Sequence, residues 1–200
     1  MKEKNFSPLD RDEELDILFG VINRFIGYFT RDSIKQTQND TKSEYPFVPM
    51  DTRQAYEQIL CAKNYLDASS IDNQSDYSFI DVGCGIGQIM ILAEMAGFNA
   101  FGIEKDPYPC KIAQKLMGTD KVSQADIWDY DGYGDFDVVY YFRPFSTKKL
   151  QGRFEKLIED KVKVGGLIIA NRRLSDSIER DSRFKKIDPK WPIWVKIGEI

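Results

Sequence analysis

The sequence predicts an α/β fold: a mostly parallel, seven-stranded sheet with helices on both faces and a helical extension at the N-terminus. Three observations predict it. From residue 77 to 170, short apolar runs alternate with amphipathic stretches, the order that produces parallel strands joined by crossover helices. A glycine-rich turn, Gly83-Cys84-Gly85-Ile86-Gly87, follows the first of those runs. The run Phe136-Asp137-Val138-Val139-Tyr140-Tyr141-Phe142 is almost wholly apolar, as a strand covered on both faces must be.

Taken in order, Ser7-Pro8-Leu9-Asp10 and Asp10-Arg11-Asp12-Glu13 both carry a helix-starting pattern, a capping residue with an acid three positions on. Leu15, Leu18, Phe19, Ile22, Phe25, Ile26 and Phe29 then recur at helical spacing and mark a broad apolar face. Residues 36–50 are polar, contain Pro46 and Pro49, and read as a loop; Asp51 starts a second helix running to about Leu66. Strands are expected at 78–82, 100–104, 121–125, 136–142 and 166–170. Helices are expected at 88–96, from Pro107 or Pro109, and at 150–162. The tail holds two more strand candidates, 184–187 and 193–197. The whole is expected to form one domain, with residues 1–70 as helical extension and lid, 77–170 as the ligand-binding core and 171–200 as closing strands.

Composition narrows the function. An apolar share of 42% with 30% charged residues is that of a soluble globular chain. The net charge of −4 disfavours a general nucleic-acid partner, although residues 143–200 carry 15 Lys/Arg against 8 Asp/Glu. Three widely spaced cysteines and no histidine exclude a zinc-finger pattern and every mechanism built on a histidine base, so no metal is expected. The first residues lack the apolar stretch of a signal peptide, and no apolar run approaches the roughly 20 residues needed to span a bilayer. A cytoplasmic protein with no membrane partner is the expectation; oligomeric state leaves no mark on the sequence.

The glycine turn carries the chemistry. A dinucleotide fingerprint spaces its glycines G-x-G-x-x-G, because the third packs the helix against the strand beside a pyrophosphate. Here the spacing is G-x-G-x-G, Gln88 takes the third place, and Asp81 precedes the first glycine by two residues. A carboxylate at that point suits a cation better than it suits two phosphates. Glu104 ends the second strand about 20 residues beyond the first glycine, where an acid can accept both hydroxyls of a ribose. Asp126-Ile127 follows the third strand; Asp126 is either a ligand contact or a simple helix cap.

These positions resemble the first motifs of the class I S-adenosylmethionine-dependent methyltransferases, which have a Rossmann-like fold. The resemblance implies S-adenosylmethionine as cofactor, held by Asp81, Gly83, Cys84, Gly85, Gly87 and Gln88 of the loop. It adds Glu104 and Lys105 after the second strand, and Asp126 and Ile127 near the adenine. Tyr45-Pro46-Phe47-Val48-Pro49, Glu104-Lys105 and Tyr141-x-x-Pro144 are also similar to small protein-lysine methyltransferases and to the telomeric-silencing-type histone lysine methyltransferase domain. On that likeness Tyr45 and Val48 belong to a cofactor lid; a merely rigid proline loop fits the same residues. The paired asparagines of the histone enzymes are replaced here by Tyr141 and Phe142, so their substrate contacts do not transfer. The expected partner is an unidentified methyl acceptor, protein or small molecule. A lysine amine is one candidate; a small-molecule O- or N-acceptor, or cofactor binding without turnover, are the others. Tyr141 and Phe145 are the expected acceptor-side residues, because an aromatic wall desolvates an amine and favours a cationic methyl donor.

Overall fold

The structure, a computed structural model, describes residues 10–69 and 76–199. Asp10 caps the first helix, α1 (Arg11–Lys35), through a reciprocal pair. Its carboxylate accepts from the Glu13 amide at 2.9 Å, and the Glu13 carboxylate accepts from the Asp10 amide at 3.0 Å. The alternative start at Ser7 lies outside the described residues. Phe19, Ile22 and Ile26 are the buried stripe of α1, with Leu15, Phe25 and Phe29 half covered; Leu18 is exposed. The next helix, α2 (Thr52–Ser69), begins where Asp51 accepts from the Gln54 amide at 2.8 Å, and it continues three residues past the expected end.

The sheet comprises β1 (Ser78–Val82), β2 (Asn99–Glu104), β3 (Val122–Gln124), β4 (Val138–Phe142), β5 (Leu167–Asn171), β6 (Phe184–Lys186) and β7 (Ile193–Lys196). Their spatial order is β3-β2-β1-β4-β5-β7-β6. The first five are parallel. β7 inserts antiparallel between β5 and β6, so the sheet is mixed at one edge. Between the strands lie α3 (Gln88–Met95), α4 (Pro107–Met117, with proline opening its first turn), α5 (Lys148–Lys161) and α6 (Ser177–Arg180). The last of these is a helix that the sequence pattern does not reveal.

Strand alternation sends side chains into two cores. Phe79, Tyr140, Leu167 and Ile169 pack under α1 to α4, whereas Ile80, Val82, Val139, Tyr141 and Ile168 pack under Phe154 and Ile158 of α5. Helices therefore cover both faces, which is why β1, β4 and β5 are apolar on both sides. No described helix is long and apolar enough to cross a membrane.

The order matters for position. The chain leaves β1 toward β2 on one side and reaches β4 on the other, so the carboxyl ends of β1 and β4 form a topological switch point. Open α/β sheets bind ligands in the crevice at such a point.

Candidate cofactor-binding site

A cavity of about 350 Å³ opens at that switch point, within the size range of small-molecule sites. Its floor is the end of β1, with Asp81, Val82, Gly83 and Cys84. One wall holds Ile103, Glu104, Lys105 and Asp106 from the end of β2, with Asp126 and Ile127 after β3. The other holds Tyr140, Phe142, Arg143, Pro144, Phe145 and Arg172 from the ends of β4 and β5. The loop before α2 closes the top through Asn39, Glu44, Tyr45, Pro46, Phe47, Val48 and Met50.

The glycine turn takes its shape from backbone that side chains rarely allow. Gly83, Gly85 and Gly87 have φ of 78°, 55° and 89°. Gly83 and Cys84 both donate to the Ile103 carbonyl at 2.9 Å, and Gly85 donates to the Glu104 carboxylate at 2.9 Å, so the turn is bound to the end of β2. A Cβ on Gly85 would sit 2.1 Å from the Phe47 ring, so the lid packs directly on the turn. Gly85 and Gly87 themselves do not line the cavity; they form its frame.

Glu104 is buried, and its second oxygen accepts from the Asp106 amide at 2.7 Å. Burial raises its pKa to about 7, against the pull of the Asp106 and Gly85 amides. Asp81 is pushed well above the usual carboxylate range, first by burial and then by the charge of Glu104. Two carboxyl groups sharing one dry site favour a ligand that brings positive charge. Cys84, buried, is driven well up by burial and by the charges of Asp81 and Glu104, so it remains a thiol.

Seven buried side-chain atoms lack a hydrogen-bond partner among the described residues, and five of them belong to residues lining this cavity: Asn39 Oδ1, Glu44 Oε2, Asp81 Oδ2, Asp106 Oδ2 and the Tyr140 hydroxyl. An orphaned buried polar group costs about 1–3 kcal/mol, so such a concentration calls for an occupant. Four of the five are oxygens that can only accept. Asn171 lies close enough to influence Tyr140, but its own amide is already paired both ways with Gln58 at 3.0 Å, leaving the hydroxyl unsatisfied.

Lys105 points across the mouth, bridging Glu44 at 2.7 Å and Asp126 at 3.2 Å, so it ties lid to wall. Asp126 serves both readings of the sequence: it accepts from the Trp128 amide at 3.0 Å as a local cap, and it lines the cavity. Gln88, buried, does not act as a ligand group alone. Its amide donates to the Met50 carbonyl at 2.8 Å and to Thr52 at 3.1 Å, holding the loop that leads into α2. Tyr45 and Val48 stand on the rim, 38% and 47% exposed. The Tyr45 amide donates to the Pro144 carbonyl at 3.0 Å, so the lid is stitched to the segment after β4.

Phe145 lines the cavity, stacked on Trp128 with centroids 5.1 Å apart. Tyr141 does not, and that expectation is corrected. It points into the opposite core, edge-on to Phe154, with its hydroxyl accepting from Arg173 at 3.0 Å. The period of two along β4 puts its neighbours Tyr140 and Phe142 at the cavity instead. Asn39, Phe47, Met50, Asp106 and Arg172 are lining residues that sequence reasoning missed. Asp106, two residues past Glu104, was the one with a usable signal; Asn39 and Arg172 come from segments that carried none.

No family model matches the chain. A human ATP synthase lysine N-methyltransferase is 26% identical over 128 residues, 60% of this chain and 49% of that protein. The chain thus spans about half the length of the curated relative it matches. Among solved structures, the amino pentose methyltransferase CalS10 of Micromonospora echinaspora is 16% identical with a TM-score of 0.46, over 63% of this chain and 58% of that one. The sugar N-methyltransferase KedS8 of Streptoalloteichus is 18% identical with a TM-score of 0.45, over 67% and 52%.

Proposed function

We propose that this chain is an S-adenosylmethionine-dependent methyltransferase. The single observation that carries the reading is the set of unpaired acceptors around the cavity, joined to two buried acids, the charge of one raising the pKa of the other. They match a ligand that is cationic and rich in N–H and O–H donors. They do not match a pyrophosphate, which is anionic and offers none. The residues therefore fit S-adenosylmethionine: Asp81 suits the ammonium group, Glu104 the ribose hydroxyls, and Asp126 with Ile127 the adenine.

Bound there, the cofactor supplies an electrophilic sulfonium methyl group. The chain's own contribution is position and dryness. Tyr45, Phe47 and Phe142 exclude water, and their ring faces favour a cation. Holding nucleophile and methyl in line accounts for much of the acceleration such a transfer needs, without a strong base. An amine acceptor has to arrive neutral, and burial against Phe142 and Phe145 lowers its pKa and releases the proton to solvent. We read the acceptor as an amine, in line with the human relative, whose name records a lysine target. A small-molecule acceptor is the second reading, favoured by the arginines on the β4–β5 side of the cavity.

Calorimetry with S-adenosylmethionine, S-adenosylhomocysteine and NAD tests the cofactor. Binding of both sulfur ligands without NAD is expected; NAD binding with neither sulfur ligand overturns the proposal. Radiolabelled methyl transfer into a cell lysate then tests the acceptor, label in protein supporting the lysine reading and label confined to small metabolites removing it.

A further inference from the structure

We propose that Arg143 and Arg172 seat an anionic group, a carboxylate or a phosphate, on the molecule that is methylated. The inference rests on the methyltransferase reading of the cavity and names a chemical feature of its acceptor.

The two residues are neighbours by topology. β4 and β5 run parallel with Phe142 opposite Asn171, so Arg143 and Arg172 are the next residues beyond the paired ends. Adjacent strands lie about 5 Å apart, and the Arg143 amide donates to the Asn171 carbonyl at 3.3 Å. Both side chains line the cavity, on the wall across from Glu104 and Asp106.

Their backbones are unusual as well. Arg143 has φ of 27° and Arg172 of 58°, the two non-glycine residues with positive φ among the described residues. Side chains pay for that conformation, and residues held in it collect at ligand sites. Here it occurs at both strand ends that face the same cavity.

The guanidinium groups are also left without counter-ions. Five residues with carboxylates line the cavity, yet neither arginine makes an ion pair among the described residues. Arg143 donates through Nε to the Phe145 carbonyl at 3.3 Å and through Nη2 to the Ser146 carbonyl at 3.2 Å, and lies over the Tyr45 ring at 5.4 Å. Its fork is thereby fixed in direction while its charge stays uncompensated. Arg172 is exposed and makes no side-chain hydrogen bond among the described residues. The cavity is divided: acids surround the β1–β2 half, where a cationic cofactor fits, and two arginines hold the β4–β5 half. A cation in the first half leaves the arginines facing a like charge. An anion on the second ligand neutralises them, and planar guanidinium forks match carboxylate and phosphate geometry.

The test is an NMR titration of the protein saturated with S-adenosylhomocysteine, following arginine side-chain signals while inorganic phosphate or, separately, acetate is added at low ionic strength. Wild type, Arg172→Gln and the distant surface variant Lys190→Gln are compared. Saturable binding of at least one anion is expected, weakened about tenfold or more by Arg172→Gln, as loss of a charge-assisted contact implies, and unaltered by Lys190→Gln. Phosphate alone or acetate alone identifies which anion the acceptor carries. Arg143→Lys, which keeps the charge and loses the fork, is expected to fall between. Equal binding by wild type and Arg172→Gln, or saturable binding of neither anion, overturns the proposal. Failure of wild type to bind S-adenosylhomocysteine removes the methyltransferase reading instead, and the same titration without that ligand still reports on the arginine pair.

Discussion

The Gly85 amide donates to the Glu104 carboxylate at 2.9 Å, joining the glycine turn after β1 to the acid that ends β2. One carboxylate thus shapes the turn and faces the ligand. Since burial raises the pKa of Glu104 to about 7, its charge becomes a variable near neutrality.

The folded-state pKa of Glu104 is raised, so the ligand-free protein prefers the protonated acid. Its contribution to stability is greatest below the unfolded value of 4.5, declines as pH rises toward about 7, and is level beyond. Melting temperature followed from pH 5 to 8 should fall more steeply in wild type than in Glu104→Gln. Cofactor affinity should move the other way, rising through pH 7 as the carboxylate ionises and accepts hydroxyl protons. Glu104→Gln should weaken binding by about tenfold and flatten that rise. A variant with wild-type pH dependence would remove Glu104 from the site.

Gly85→Ala introduces a methyl group where Phe47 already lies, in a backbone with φ of 55°. Strain and displacement together should cost about 1–3 kcal/mol in chemical unfolding. Adding Phe47→Ala should recover part of that loss, because the steric partner is gone, although the strain remains. Additive losses in the double variant would show that the lid does not pack on the turn. Gly83→Ala, with nothing within 4 Å of the new atom, should carry the strain alone.

Tyr140 and Tyr141 are adjacent in sequence and should respond oppositely. Tyr141→Phe leaves Arg173 without one acceptor in a buried network, costing about 1–3 kcal/mol, while cofactor affinity is unchanged. Tyr140→Phe removes a buried hydroxyl that has no partner, so stability should hold or rise, and any loss should appear in ligand binding. Paired calorimetry and unfolding curves decide between the two; an affinity loss confined to Tyr141→Phe would reverse the assignment.

Gln88→Ala should loosen the entry to α2, since the Met50 carbonyl and Thr52 lose their donor. Hydrogen exchange should then rise in residues 47–54, with weaker binding that follows from lid order. Unchanged protection there would mean that Gln88 only fills space.

What the sequence determined by itself is local. Glycines at alternate positions, an acid before them and an acid ending the next strand place one turn and its companion, because glycine freedom and strand period act over a few residues. The apolar runs likewise determined where strands β1, β4 and β5 lie, and the tail's two weak runs proved to be β6 and β7. What only the tertiary structure decided is facing. The direction of each aromatic along β4 depends on a register of one residue, since a single step turns a side chain from one core to the other, and so Tyr140 replaced Tyr141. The lid, Asp106, and the meeting of Arg143 with Arg172 depend on segments far apart in the chain, brought together by the strand order. Spacing along a sequence carries no record of such contacts; the packing of the sheet supplies them.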